Sequence, residues 1–342
     1  MKTQDAVDNM DRITARPWLI LSCAALGLAL CCVWVVLRSS GAAKSEHTIA
    51  FIAQTTGDEL WEAAHAGARA MGEQTGFRVY WNAPTREDDV ERQIELIQAA
   101  IRRRDAGLIV GPVQYLALIS PLREALTMHI PVVVAASSVP LPPGNGLVYI
   151  LSDDAAAGRI AAQRIGSILN GRGTIAVLGV NPNLTGVVVR ARSFEETMAA
   201  NFPGVLIVER KTAAPTFEEA AESAEQILLD HPNIDAIVGL TSTDSEGALT
   251  AISILHRTPA VHLIGCDQED DLMKGIREGK IDSIIAENSF AIGEQAVAAI
   301  AAMRRGQSVQ ASVLVPPLLI DRTNIDRPDI QKVLSMNWRG AP

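Results

Sequence analysis

The 342 residues are 48% hydrophobic and 20% charged, with a formal net charge of -9, which excludes global disorder and supplies enough chain for two ordinary domains. The acidic balance also excludes a protein built mainly to neutralise nucleic-acid phosphates. Cys23, Cys31 and Cys32 lie in one apolar N-terminal run and Cys266 stands alone in the rest of the chain, so no disulfide framework is encoded.

In chain order, a short tail (1–16) leads into residues 18–37, an uncharged stretch that at ~1.5 Å per residue just crosses a ~30 Å hydrocarbon core. Residues 17–38 therefore read as a signal or anchor helix entering a membrane through 18–37. Length favours a retained anchor, while the small residues Ser40, Gly41, Ala42 and Ala43 keep cleavage open. Lys2, Arg12 and Arg16 cancel Asp5, Asp8 and Asp11, so the whole net charge belongs to the part after residue 37, which opens with a short linker (39–46).

From there brief apolar runs alternate with segments of helical period, the pattern of parallel sheets covered by helices. A strand is predicted over 48–53. The helix after it carries Leu60, Ala64, Gly67, Ala68 and Met71 on one face, with Thr56 and Glu59 spaced as a capping box. Further strands are predicted over 77–81, 107–110 and 131–135, with a helix lined by Val90, Ile94, Ile97 and Ile101. The Pro- and Gly-rich loop 140–146 precedes a strand over 147–151. A second block repeats the rhythm from a helix over 154–169 to one final apolar strand ending at Ile320. The fold class is α/β: two similar lobes with parallel sheets.

In open sheets of this kind a ligand sits beyond the carboxyl ends of the strands, which directs attention to loops 54–58, 111–114, 136–138, 181–190, 241–244, 267–270 and 287–289. Neither a P-loop nor a Gly-x-Gly-x-x-Gly turn joins a strand to its helix; Gly144-Asn145-Gly146 precedes a strand and reads as a turn. Histidines 47, 65, 129, 231, 256 and 262 show no paired metal-ligand spacing. Ser137-Ser138 follow a strand, but no nucleophile elbow or base accompanies them. No cofactor, metal or catalytic set is expected. The polar strand-end residues suit a small hydrogen-bonding molecule that is held without reacting.

Thr48-Ile49-Ala50-Phe51, the 107–112 strand and turn, 130–134, Asp153 with Ala157-Gly158, 190–194 and Leu263-Ile264-Gly265-Cys266-Asp267 together carry a resemblance. Over 48–320 the chain resembles the type I periplasmic binding proteins of the ribose-binding group, whose fold is shared by the effector domain of lac-repressor-like regulators. The resemblance implies two Rossmann-like lobes joined by a three-strand hinge and closing on a ligand. It places the crossings near Leu151, Glu287 and Ser312, with lobe 1 at 47–151 plus 288–310 and lobe 2 at 152–287 plus 311–342.

The same resemblance implies a ligand site of Gln54, Asp58, Trp61, Ser137, Arg190, Thr241, Asp267 and Glu287. Several of these have a structural alternative. Trp61 is a stacking ring or plain core, Arg190 a surface residue at a helix start, Asp267 a helix N-cap with Asp270 three residues on, and Thr241 part of a capped loop. Related sugar binders carry an Asp-Arg pair where this chain has Ala136-Ser137, and often a glutamine where it has Glu287. The implied function is an extracytoplasmic solute-binding protein of the periplasm or cell envelope, handing a small polar, sugar-like ligand to an ABC permease. The alternative is a membrane-anchored sensor signalling to a kinase or chemoreceptor. Neither is an enzyme, and nucleic acid is not a partner: the tail before residue 17 is too short for a helix-turn-helix.

Overall fold

The computed structural model describes residues 47–56, 59–86, 88–182 and 184–334. The N-terminal tail, the apolar segment 18–37, the linker and Asp58 lie outside the described residues.

The first lobe begins with β1 (Thr48–Ile52), α1 (Glu59–Thr75), β2 (Arg78–Asn82), α2 (Val90–Arg103), β3 (Gly107–Val110), α3 (Ile119–Thr127), β4 (Val132–Ala136) and β5 (Leu147–Ser152). The second follows with α4 (Asp154–Ile168), β6 (Arg172–Val180), α5 (Thr185–Asn201), β7 (Gly204–Thr212), α6 (Phe217–Asp230), β8 (Ala236–Gly239), α7 (Ser242–Ile254), β9 (His262–Cys266), α8 (Asp270–Glu278) and β10 (Ser283–Ala286). The chain then runs through α9 (Ser289–Arg304), β11 (Ser312–Val315), β12 (Leu318–Asp321) and α10 (Pro328–Leu334).

Every residue of β1, β3, β8 and β10 is buried, because helices cover both faces of a parallel sheet and leave no polar side. Short polar side chains start the helices: Asp89, Asp153, Thr216, Thr241 and Asn288 each accept a backbone N–H from the first turn, satisfying donors that have no partner inside the helix.

Two six-stranded sheets result, in the orders β11-β5-β4-β3-β1-β2 and β12-β10-β9-β8-β6-β7. The orders correspond position by position, so β4 in one lobe answers β9 in the other. Apolar clusters flank each sheet on its two faces.

The chain passes between the sheets after β5, after β10 and between β11 and β12. The last passage differs from the sequence expectation. The sequence reads as one final strand ending at Ile320 with the crossing near Ser312, but β11 pairs in parallel with β5 and β12 pairs antiparallel with β10. Pro316-Pro317 divides the run, since proline has no N–H for a ladder. Residues 312–315 therefore lie in the first sheet, and the crossing falls at 316–317.

Close helix contacts rest on glycine. A Cβ at Gly67 would collide with the carbonyl of Phe290, and one at Gly293 with that of Ala64, so α1 and α9 touch backbone to backbone. In the second lobe a Cβ at Gly158 would collide with the carbonyl oxygen of Arg190 and stand 2.8 Å from the Phe194 nitrogen. Overpacking against backbone that cannot rotate aside costs up to ~3 kcal/mol, against ~1 kcal/mol gained from helix propensity. Gly158→Ala is therefore expected to lower stability by about 2 kcal/mol in urea unfolding, and unchanged stability would show that α5 yields freely.

Candidate functional site

The carboxyl ends of the second lobe's strands gather charge around one arginine. Arg190, on the first turns of α5, is 7% exposed. Its Nη1 donates to the Leu240 carbonyl at 2.8 Å and to Asp267 Oδ2 at 3.1 Å, and its Nη2 donates to Asp154 Oδ1 at 3.0 Å. Three segments meet there: the start of α4, the end of β8 and the end of β9. Burial works against the charge, yet Asp267 and Asp154 hold the Arg190 pKa well above its ordinary value. Burial lifts the Asp154 carboxyl above its usual range, with Arg190 pulling the other way.

Asp267 takes a left-handed backbone, φ 63°, a conformation that aspartate tolerates better than most residues. Its carboxylate is engaged with Arg190. The N-cap of α8 is Glu269 instead, so the capping alternative for Asp267 does not describe this structure. Thr241 does cap α7: its Oγ1 accepts from Asp244 N–H at 3.2 Å and donates to Asp244 Oδ2 at 2.6 Å. Cys266, beside Asp267, is fully buried and its thiol is pushed up to about 12 by desolvation, which removes it from thiolate chemistry.

Glu287 follows β10 and is partly buried. Its Oε1 accepts from Ser289 Oγ at 3.3 Å. Burial first, and then the neighbouring Asp267 and Asp154 carboxylates, push its pKa up from 4.5 to about 7, with the Ser152 hydroxyl and, more weakly, Arg190 opposing. A narrow cavity is lined by Ser152, Asp153, Asp154, Arg190, Glu287 and Pro317 among others.

The first lobe contributes neutral groups. Gln54 is partly buried and donates through Nε2 to the Pro112 carbonyl at 3.0 Å. Ser137 is exposed, its N–H bonded to Ala135 O at 2.8 Å. Trp61 is 3% exposed within the core of the lobe, edge-on to Phe51 at 6.3 Å, with its ring over Gly111; its Nε1 has no hydrogen-bond partner among the described residues. Ala136 has φ 65°, repeating at the end of β4 the backbone of Asp267 after β9 but offering only a methyl group.

Three residues that sequence reasoning missed organise these loops. Gln93 is fully buried on α2, and donates to the carbonyls of Ala53 (2.9 Å) and Gly111 (2.7 Å) while accepting from Val113 N–H (3.0 Å). Asp154 is Arg190's second carboxylate, and Asp244 fastens the loop before α7 to Ala214. The readable signal for Gln93 is a polar residue three after Val90 and four before Ile97, on the apolar stripe of its helix.

The lobes meet at one rim, where Ala63 of α1 lines a small cavity with Gln268 and Met273. Two larger grooves lie elsewhere. One of about 500 Å³ sits beside Pro131 and Leu147 at the opposite end of the first sheet's strands, and one of about 240 Å³ lies between α7 and α8. Polar convergence therefore marks the site better than volume does. Among the described residues no group of three or more His, Cys, Asp or Glu side chains is placed to hold a metal ion.

Two lobes of mainly parallel sheet linked by three crossings, with polar groups gathered at the strand ends, have the architecture of a two-lobed binding protein. The sequence profile described as "Periplasmic binding protein domain" matches residues 49–308, and the chain belongs to that family, in its type I, ribose-binding-like branch. It is 24% identical over 302 residues to the D-apiose import binding protein of Paraburkholderia graminis, spanning 83% of this chain and 86% of that one. It is 23% identical over 306 residues to the ribose import binding protein of Haemophilus influenzae, spanning 90% and 98%. Among solved structures, the sugar-binding protein of a sugar ABC transporter from Bacillus halodurans superposes with a TM-score of 0.77 at 21% identity, covering 82% of this chain and 99% of that chain.

A carboxyl whose folded-state pKa is raised contributes stability that is full below the unfolded value, near 4.5, and lost as pH climbs through about 7. In ligand-free urea unfolding between about pH 5 and pH 8, the protein should therefore lose stability relative to Glu287→Gln. Parallel profiles would mean that Glu287 is an ordinary solvated carboxylate.

Proposed function

We propose that this chain is an extracytoplasmic solute-binding protein that captures a small, polyhydroxylated, sugar-like ligand between its lobes and delivers it to the permease of an ABC-type importer. The observation that carries the reading is the polar cluster of Arg190, Asp267, Asp154 and Glu287 at the strand ends, in a chain whose relatives are named for ribose and apiose import. Asp267 spends one oxygen on Arg190 and keeps acceptor capacity for ligand hydroxyls. Gln54 and Ser137 face the ligand from the first lobe. Thr241 shapes the loop before α7 and Trp61 backs the loop after β3. Asp58, outside the described residues, completes the proposed set.

Capture consists of hydrogen-bond exchange with water, and nothing in it requires a bond to break; the family's kind agrees with a binder rather than an enzyme. A relative named as a D-allose-binding periplasmic protein supports a place in the periplasm or cell envelope for this chain. The apolar segment 18–37 favours a second reading for the same lobes, an anchored receptor reporting occupancy to a membrane kinase or chemoreceptor. Mass spectrometry of the mature chain separates the two, since loss of that segment removes the anchor.

A thermal-shift screen of the full chain against sugars and polyols tests the main reading, because a ligand at 100 times its Kd adds ~2.7 kcal/mol. For a ligand found this way, Asp267→Ala is expected to weaken binding by about 10- to 150-fold, the equivalent of one charge-assisted hydrogen bond, while unfolding stays cooperative. Unchanged calorimetric affinity would remove Asp267 from the site.

A further inference from the structure

The charges at the cleft do not balance. Four carboxylates, Asp153, Asp154, Asp267 and Glu287, surround a single buried guanidinium. Asp154 and Asp267 share Arg190 between them, at 3.0 and 3.1 Å. Asp153 caps α4 through the Ala156 N–H at 2.8 Å and has Arg159, half exposed, at 3.9 Å. Glu287 forms no salt bridge with any described residue, and only the neutral hydroxyls of Ser289, at 3.3 Å, and Ser152 face it among the described residues.

Among its described residues the facing lobe sends no countercharge. Its described loop residues 54–56, 111–114 and 137–138 contain neither lysine nor arginine, and Arg86, in the loop after β2, is exposed and paired with Asp88 at 2.7 Å. A carboxylate taken out of water without a cation is costly. Among the described residues these carboxylates do not form a metal-holding group. A second unmet need lies beside the first: Arg190, more than nine-tenths buried and lining the same narrow cavity as Glu287, leaves its Nε without a partner. Among the described residues the site lacks one cationic donor and one acceptor.

We propose that the ligand is a polyhydroxylated molecule bearing a protonated amine, an amino sugar or aminopolyol, whose ammonium donates to Glu287 and one of whose hydroxyl oxygens accepts from Arg190 Nε. This rests on the solute-binding reading and narrows it. The amine supplies the charge that the first lobe does not, and the hydroxyls meet the remaining acceptors and donors as in a neutral sugar. Glutamine, which related sugar binders often carry at the position of Glu287, would keep the shape of the site and lose its preference for a cation.

The test is titration calorimetry of the full chain in detergent, near pH 7.5, with matched pairs: glucosamine against glucose, galactosamine against galactose, and 1-amino-1-deoxysorbitol against sorbitol. At least one amine is expected to bind more than about tenfold tighter than its hydroxyl counterpart, a charge-assisted bond replacing a neutral one. Glu287→Gln should bring that ratio to within about threefold, while the ligand-free variant melts no lower than the parent, since an unpaired carboxylate has been removed. If neutral members bind as well as the amines, or if the amine preference survives Glu287→Gln in a variant that still melts cooperatively, the inference falls and the solute-binding reading stands. If no member of either series binds, both fall.

Discussion

The second lobe depends on a guanidinium kept out of water. Arg190 ties the start of α4 to the ends of β8 and β9 through Asp154, Leu240 and Asp267. An arginine cannot escape burial by losing its proton, so its surroundings must hold the charge, and two carboxylates do. Removing one side of such an arrangement typically costs ~3–5 kcal/mol, because the other side is left charged and unpaired. The approach that brings Arg190 there is itself set by Gly158, where α4 lies directly against the α5 backbone.

The two lobes share a strand order and differ in the chemistry that sets their loops. Gln93, neutral and with its amide fully used, joins the loops after β1 and β3 in the first lobe. Ions do the comparable work in the second. Ala136 and Asp267 sharpen the contrast: the same left-handed backbone ends corresponding strands, with a methyl group on one side and a carboxylate on the other. A left-handed alanine is unfavourable by ~1–2 kcal/mol, so this backbone is imposed by the surrounding fold and not by the residue that occupies it.

The alternation of strands and helices was legible because strands buried on both faces are continuous apolar runs and their helices carry an apolar stripe. Arg190, Asp267 and Glu287 were legible through resemblance at strand ends. Asp154 was not, because an acidic residue at a helix start is explained by the helix itself and its partner lies 36 positions away. Gln93 escaped for the opposite reason: a lone amide on an apolar stripe gains meaning only once two loops converge on it. The final strand was misread because an apolar run interrupted by Pro316-Pro317 has the composition of one strand and the geometry of two.

That proline pair also limits how one sheet can swing against the other. Both residues have φ pinned near -65°, and neither donates a backbone hydrogen bond. The short bridge between Val315 and Leu318 thus behaves as a stiff strut, with little freedom beyond its ψ torsions. Any swivelling of the sheets would fall to the other two passages, at 152–154 and 286–289. Those passages carry Asp153, Asp154 and Glu287, so any bending there would occur where a cargo's charge would be felt.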